Sequence, residues 1–392
     1  TTMSTMEPGN LAKPLLPGAT VGVVGGGQLG RYFVLEARRL GYHTWVLDPD
    51  ATAPAMQLAE HALVAAYDDA DALAQLGRAC DAITVEFENV PAASLEQLSV
   101  LTRIAPSAAS IRVAQDRDLE KQTASEHGLV PVPYATINSV ADVESAITSV
   151  GLPAILKTAR LGYDGKGQAL CHTQKEVQEA FAAVNEASCV LEKRIQLAAE
   201  ISVVLARGLN GDIAVFPVAR NVHENGILST STVPCELPEA LPATVISSAI
   251  LQTEKLAEGL DYHGVLAVEF FVDDVGQVFF NEMAPRPHNS GHYTLDATVC
   301  SQFEQQLRAL CALPLGSTDL LTPVCMVNLL GDTWSDGEPA WLALMEQPGA
   351  HLHLYGKNAA RPGRKMGHIN CLAESPEQAQ VIALQIHQKL AD

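Results

Sequence analysis

Apolar residues along this chain come in short runs cut by glycine and proline, and the runs alternate with stretches of helical period. Residues 20–24 (Thr-Val-Gly-Val-Val) read as a strand, Gly25 to Gly30 as a glycine turn, 31–40 as a helix and 43–47 as a second strand ending at Asp48. Apolar segments at 82–86 and 101–105 continue the alternation, which predicts a βαβ-type parallel sheet. A helix at 118–127, ended by Gly128, opens a new unit near Asp116. Pro131 to Tyr134 then leads into a smaller α+β lobe with strands at 154–157, 167–171, 189–193 and 200–206 and a helix around 175–184. A larger lobe follows, with strands near 213–219, 265–272 and 277–282 and a helix around 243–259. After Pro314 come short strands, a glycine-rich loop at 361–367 and an amphipathic helix at 376–390.

These elements predict a mixed α/β and α+β chain of several domains. A leader occupies 1–19 and a Rossmann-like parallel-sheet domain 20–115. A two-lobed unit fills 116–320, its small lobe at about 140–208 and its large lobe at about 209–320, and a small β-rich domain closes the chain at 321–392. The leader is rich in Pro, Gly and Thr and lacks the basic head and apolar run of a secretory signal, so it reads as flexible.

Composition narrows the partners. A net charge of −20 over 392 residues argues against nucleic acid or an anionic membrane as the main partner, so any phosphate-binding cations must be concentrated locally. No apolar run approaches the ~18 residues of a membrane span. The 8 cysteines are scattered without a Cys-x-x-Cys pair, which suits reduced thiols in a cytosol.

Two glutamates carry the strongest chemical signal. Apolar strands seldom hold carboxylates, because desolvating an unpaired charge is costly. Yet Glu269 sits in Val-Leu-Ala-Val-Glu-Phe-Phe-Val (265–272), and Glu282 in Gln-Val-Phe-Phe-Asn-Glu-Met-Ala-Pro-Arg (277–286). The turn Asp273 to Gly276 joins the two segments as a hairpin. With Asn281 beside them, the pair predicts a hard-cation site, and Mg²⁺ is usually held by one or two carboxylates plus substrate phosphates. That points to nucleotide chemistry.

Two glycine loops add to it. Gly25-Gly-Gly27-Gln-Leu-Gly30 fits G-x-G-x-x-G between a strand and a helix, with Asp48 where a dinucleotide fold keeps its ribose-binding acid. Alone, the loop fits a dinucleotide, a phosphorylated substrate or mere tight packing. Lys157 ends a later strand, and Leu161-Gly-Tyr-Asp-Gly-Lys-Gly-Gln168 follows. This is no Walker P-loop; it reads as a flap able to close over a triphosphate and exclude water, or more plainly as a surface hairpin with a solvated lysine. Residues 190–195 look like an inter-lobe hinge whose backbone could face an adenine edge, and Glu200 could accept two ribose hydroxyls.

In order and spacing these residues resemble the ATP-grasp fold. Within it the chain closely resembles the 5-(carboxyamino)imidazole ribonucleotide synthases of bacterial and fungal purine synthesis. Five segments carry the match: Gly-Gly-Gly-Gln-Leu-Gly-Arg (25–31), Glu-Phe-Glu-Asn-Val (86–90), Gly-Tyr-Asp-Gly-Lys-Gly-Gln (162–168), Asn-Glu-Met-Ala-Pro-Arg-Pro-His-Asn-Ser-Gly-His (281–292), and Leu-Tyr-Gly-Lys (354–357) with Pro-Gly-Arg-Lys-Met-Gly-His (362–368). The resemblance implies a pre-ATP-grasp domain, an ATP-grasp unit and a small C-terminal domain. It also implies a cytoplasmic, homodimeric carbon–nitrogen ligase of purine biosynthesis. Its reaction joins ATP, bicarbonate and 5-aminoimidazole ribonucleotide, giving ADP, phosphate and the N-carboxylated ribonucleotide by way of carboxyphosphate or CO₂ released from it.

The resemblance also implies site roles. Glu269 and Glu282 hold Mg²⁺ (two ions, with Mn²⁺ as an alternative), and Asn281 stands beside them. Arg117 and Lys157 contact the ATP phosphates, and the flap Gly162, Tyr163, Asp164, Gly165, Lys166, Gly167 and Gln168 covers them. Glu192, Lys193, Arg194 and Ile195 hold adenine, Glu200 holds ribose, and His223 belongs to the ATP site. On the ribonucleotide side stand Gln28, Leu29, Glu86 and Asn289, with Lys357, Arg364 and Lys365 as the 5′-phosphate cluster. Tyr163, Asp164 and Lys166 mark the carboxylation locus, with Arg286 and Lys357 as further catalytic candidates.

Some positions depart from the family pattern. Lys166 stands where Arg is common, which turns a bidentate contact into a point charge. Arg194 replaces an apolar hinge residue, and Arg220 stands where an acid is frequent. His288 and His292 stand four apart, but the Asn-Ser-Gly between them is poor helix, no third ligand of suitable type stands out, and oxygen ligands dominate nearby, which argues against zinc. The competing readings are formate-dependent glycinamide ribonucleotide transformylase, an NAD-dependent dehydrogenase resting on the first glycine loop alone, and a non-catalytic nucleotide-binding regulator.

Overall fold

The computed structural model describes residues 13–162 and 167–391. Five parallel strands form the N-terminal sheet: β1 (Thr20–Val24), β2 (His43–Asp48), β3 (His61–Val64), β4 (Ala82–Val85) and β5 (Arg103–Ile104), in the order β3-β2-β1-β4-β5. β1 and β4 lie inside the sheet with helices on its faces, so they read as continuous apolar runs rather than alternating ones. β3 is an edge strand, largely exposed, and its short pattern went unread in the sequence. The leader is tied down from Lys13 onward: Leu15 N–H donates to Cys311 O (2.8 Å), Tyr42 OH to Leu15 O (2.7 Å) and Arg103 to Lys13 O (2.7 Å). The flexibility expected through residue 19 therefore does not extend over residues 13–19.

The small lobe is an antiparallel sheet of β6 (Tyr134–Ile137), β7 (Ala154–Thr158), β8 (Gln168–Cys171) and β9 (Cys189–Lys193), ordered β6-β9-β7-β8. Helices Val143–Val150 and Gln174–Ala183 cover one face, where Leu156, Leu191, Val177 and Phe181 are buried together. Strand alternation sends the intervening residues, Ile155, Lys157, Val190 and Glu192, to the opposite face.

Nine antiparallel strands form the large sheet. They are β10 (Leu197–Arg207), β11 (Ile213–Val215), β12 (Ala219–Glu224), β13 (Ile227–Val233), β14 (Gly264–Asp273), β15 (Val278–Ala284), β16 (Val324–Leu330), β17 (Ala350–Leu354) and β18 (Lys365–Leu372). Their order is β15-β14-β10-β12-β13-β16-β18-β17, with β11 on β10. The β13–β16 pairing runs across the domain boundary expected near residue 320, so large lobe and C-terminal strands share one sheet. Helix Thr244–Gly259 packs on the large-lobe end, against Leu266, Val268 and Phe270. Helix Pro376–Ala391 packs on the C-terminal end, against Val327, Leu329 and Ile369.

Helix Gln302–Leu310 joins the two halves of the molecule. Its Leu307 and Leu310 pack with Phe33 and Val34 of helix Gln28–Arg39. Its buried Gln306 accepts from Val265 N–H of β14 (2.6 Å) and donates to Thr84 Oγ1 of β4 (2.8 Å). Among the described residues, no helix is long and apolar enough to cross a membrane, and all 8 cysteines are free thiols.

Candidate active site

The two strand glutamates meet because of a bulge. Along β14, Leu266, Val268, Phe270 and Val272 face the core, which leaves Glu269 and Phe271 on the other face. On β15, Val278 and Phe280 also face the core, and strict alternation would send Glu282 there as well. Instead the ladder pairs Glu269 with Glu282 and then Phe270 with Phe280, which skips Asn281. That extra residue turns Glu282 to the cleft, directly across from Glu269, and returns Met283 to the core.

Packed together, the two acids perturb each other. Burial and the Glu282 charge push the Glu269 carboxyl up to about 8. Burial also opposes ionisation of Glu282, but Arg117 beside it (3.1 Å) and the hydrogen bond from Glu269 hold it well below the usual carboxylate range. Two carboxylates held this close favour a bound divalent cation, which relieves their mutual repulsion. Asn281 Oδ1 is buried without a hydrogen-bond partner beside them, an oxygen donor still to be satisfied. No three His, Cys, Asp or Glu side chains form a ready cage among the described residues. Two carboxylates and an amide instead suit an ion such as Mg²⁺ that completes its shell with phosphate and water.

Cations surround this centre. Arg117, the first residue of helix Arg117–Glu126, reaches Glu282 and also donates to Gly162 O (3.4 Å) at the start of the flap. Lys157 lies against Glu192 (2.6 Å), and Lys121, one turn beyond Arg117, lies against the same carboxyl (2.9 Å) and donates to Asn281 O (3.3 Å). Burial works against the Glu192 charge, but the two lysines outweigh it and hold its carboxyl down at about 2. On the large-lobe side, His223 of β12 is 2.9 Å from Glu200 and 3.7 Å from Glu269. Burial disfavours its charge, yet the Glu200 hydrogen bond and the Glu269 charge raise it to about 9, so it is an imidazolium at neutral pH.

The same cavity, about 950 Å³, continues into a second half. Gln28, Leu29, Glu86, Asn289, Lys357, Arg364 and Lys365 line it there. The Glu86 carboxylate accepts from the N–H groups of Gly27 and Gly30, and burial raises its pKa despite them. Glycine at 27 leaves room for that carboxylate, which a Cβ there would displace. So the first loop binds an acid of this chain, which in turn faces the cavity. Asp48 is likewise occupied, by Gly26 N–H (2.7 Å) and Tyr67 OH (2.8 Å), which leaves the dinucleotide reading without its ribose acid. Both Asn289 amide atoms are buried without partners. Lys357 donates to Lys365 O (2.7 Å).

Most sequence-predicted residues meet in this cavity: Gln28, Leu29, Glu86, Arg117, Lys157, Gly162, Gln168, Glu200, His223, Glu269, Asn281, Glu282, Arg286, Asn289, Lys357, Arg364 and Lys365 all line it. Tyr163, Asp164, Gly165 and Lys166 lie outside the described residues, and Gly167 stands at the flap's return into β8. Glu192 is sealed against the two lysines, and the N–H groups of Lys193 and Arg194 are used by Pro133 O (2.8 Å) and Pro153 O (3.3 Å). None of residues 192–195 lines the cavity. Arg286, expected to face bicarbonate or phosphate, forms a two-point pair with Glu88 (2.7 and 3.3 Å). Glu88, Glu120, Lys121 and Arg361 were missed; Glu88 alone was within a quoted motif. His288 lines the cavity, whereas His292 is fully buried and stacked on His368 (4.7 Å), so the two do not converge on a metal.

Three family models match successive parts of the chain: the ribonucleotide synthetase preATP-grasp domain (residues 18–115), the ATP-grasp domain (122–303) and the phosphoribosylaminoimidazole carboxylase C-terminal domain (324–381). A Brucella melitensis N5-carboxyaminoimidazole ribonucleotide synthase is 46% identical over 357 residues, 91% of this chain and 96% of that protein. The crystal structure of an N5-carboxyaminoimidazole ribonucleotide synthetase in an ADP complex superposes with a TM-score of 0.90 at 41% identity, covering 96% of this chain and 98% of that one. The Aspergillus clavatus N5-carboxyaminoimidazole synthase, solved with ADP and 5-aminoimidazole ribonucleotide, gives 0.86 at 29% identity over 95% of this chain and 100% of that one.

Proposed function

This chain belongs to the N5-carboxyaminoimidazole ribonucleotide synthases of the ATP-grasp superfamily, and on that premise we propose how its cleft performs their reaction. The enzyme is a carbon–nitrogen ligase of purine biosynthesis that carboxylates the exocyclic amine of 5-aminoimidazole ribonucleotide at the expense of ATP. The observation that carries the residue-level reading is the continuity of the cleft. One cavity takes in both the Glu269–Glu282 pair and the Lys357, Arg364 and Lys365 cluster, so both substrates share one space.

ATP lies in the half between the lobes. Arg117 and Lys157 hold its phosphates, and Glu200 and His223 meet its sugar side; the adenine contact of the 192–195 hinge rests on family resemblance, since none of these residues lines the cavity. Glu269, Glu282 and Asn281 would hold Mg²⁺ ions, which neutralise phosphate charge and align the γ-phosphoryl group for attack. Bicarbonate oxygen attacks that phosphorus, giving carboxyphosphate and ADP. Arg286, paired with Glu88, lines the same cavity and stands as a catalytic candidate beside the anion. Carboxyphosphate hydrolyses in water, so closure of the flap with Tyr163, Asp164 and Lys166 over the cleft protects it.

The ribonucleotide occupies the other half. Lys357, Arg364 and Lys365 bind its 5′-phosphate, which explains how a chain of net charge −20 takes an anion there. Glu86 and Asn289 orient the amine, whose nitrogen attacks the carbon of carboxyphosphate and expels inorganic phosphate, or attacks the CO₂ left when phosphate departs first; the nitrogen gives up a proton as the N–C bond forms. Cytoplasmic residence and homodimer assembly complete the proposal on family resemblance.

An assay with labelled bicarbonate tests the reading. ADP release requires both bicarbonate and 5-aminoimidazole ribonucleotide, and label enters the ribonucleotide. ADP release driven by formate plus glycinamide ribonucleotide would favour the transformylase instead.

A further inference from the structure

Lys121 does not touch the cleft, yet its charge bears on what Lys157 can do there. Lys121, Glu192 and Lys157 form a buried row in which the central carboxylate meets both ammonium groups, at 2.9 and 2.6 Å. Their side chains are 1%, 2% and 9% exposed, and of the three only Lys157 lines the cleft. Three separate pieces of the chain meet here: helix Arg117–Glu126, strand β9 and strand β7. Lys121 is also held by Asn281 O and lies 5.7 Å from the centre of the Tyr134 ring.

A buried carboxylate facing one lysine makes a neutral pair whose cation is committed to its partner. With two lysines, the row keeps a net single positive charge, and its exposed end is Lys157. The geometry points to Lys121 as a positioning residue that balances Glu192 and so leaves Lys157's charge available to the nucleotide phosphates. Glu192 in turn fixes where the Lys157 ammonium sits. This inference rests on the reading that Lys157 contacts those phosphates.

The test is ADP affinity, measured by titration calorimetry on the intact protein and on four variants. Lys157→Met checks the underlying reading: unchanged affinity would sink that reading, whatever Lys121 does. With affinity lost in Lys157→Met, Lys121→Met should weaken ADP binding about tenfold or more, because the row becomes neutral. Lys121→Met/Glu192→Gln removes one charge of each sign and restores the net positive row, so its affinity should return to within about threefold of the parent. Lys121→Arg, which keeps the charge, should stay near the parent. A purely structural Lys121 predicts instead a double variant at least as weak as Lys121→Met, and that result would overturn the inference. If Lys121→Met does not fold, the double variant decides alone: more than about a tenfold loss against the parent counts against charge balance.

Discussion

At the residue scale, the carboxylates decide what the protein does and where it is fragile. Glu282→Gln keeps the volume and leaves Arg117 a neutral acceptor, so the protein should melt normally while turnover falls by roughly a hundredfold or more. Full activity in that variant, measured as ADP release, would contradict the metal assignment. Glu192 sets an acid limit. Its folded value is depressed to about 2 from an ordinary 4.5, so its contribution is complete above the unfolded value and is lost as pH falls from about 4.5 toward 2. Urea midpoints taken from pH 6 to 3 should fall more steeply for the parent than for Glu192→Gln, with a difference on the order of 2 kcal/mol accumulated by pH 3. The two kinds of acid were unequally legible. Glu269 and Glu282 stood out because they interrupt apolar strands. Glu120 and Lys121 sit in Arg-Asp-Leu-Glu-Lys-Gln, which has the pattern of a solvated helix face, and only the packing of β15 and β9 against it reveals burial.

At the scale of elements, turns and registers aim these side chains. The hairpin at 265–284 was readable from its apolar strands and its Asp-Asp-Val-Gly turn. Its bulge was not, because Phe-Phe-Asn-Glu-Met carries no mark of an extra residue, and plain alternation would have put Glu282 in the core. The first glycine loop was readable as a tight strand–helix turn, but not its ligand, since Glu86 arrives from a strand 56 residues away. Gly27→Ala should push that carboxylate aside. The KM for the ribonucleotide should then rise about tenfold or more while that for ATP changes little. Equal effects on both constants would separate the loop from the ribonucleotide half.

At the scale of the whole molecule, the parallel sheet, the two lobes and the C-terminal strands were legible from their patterns, and their junctions were not. Gln306 is one such junction. Its amide serves β4 and β14 at once, and Gln306→Leu leaves Val265 N–H and Thr84 without their partner. Urea unfolding should show a loss of about 2–4 kcal/mol, with kcat in native conditions near the parent's. The other junction is the pairing of β13 with β16. It welds the loop carrying Lys357, Arg364 and Lys365 to the sheet carrying Glu269, whereas the small lobe has a sheet of its own. A shortened chain ending just before β16 would therefore bare a row of amide and carbonyl groups along β13 to its neighbours. Such a fragment should clump rather than persist as a lone nucleotide binder, so this enzyme resists losing its C-terminal strands.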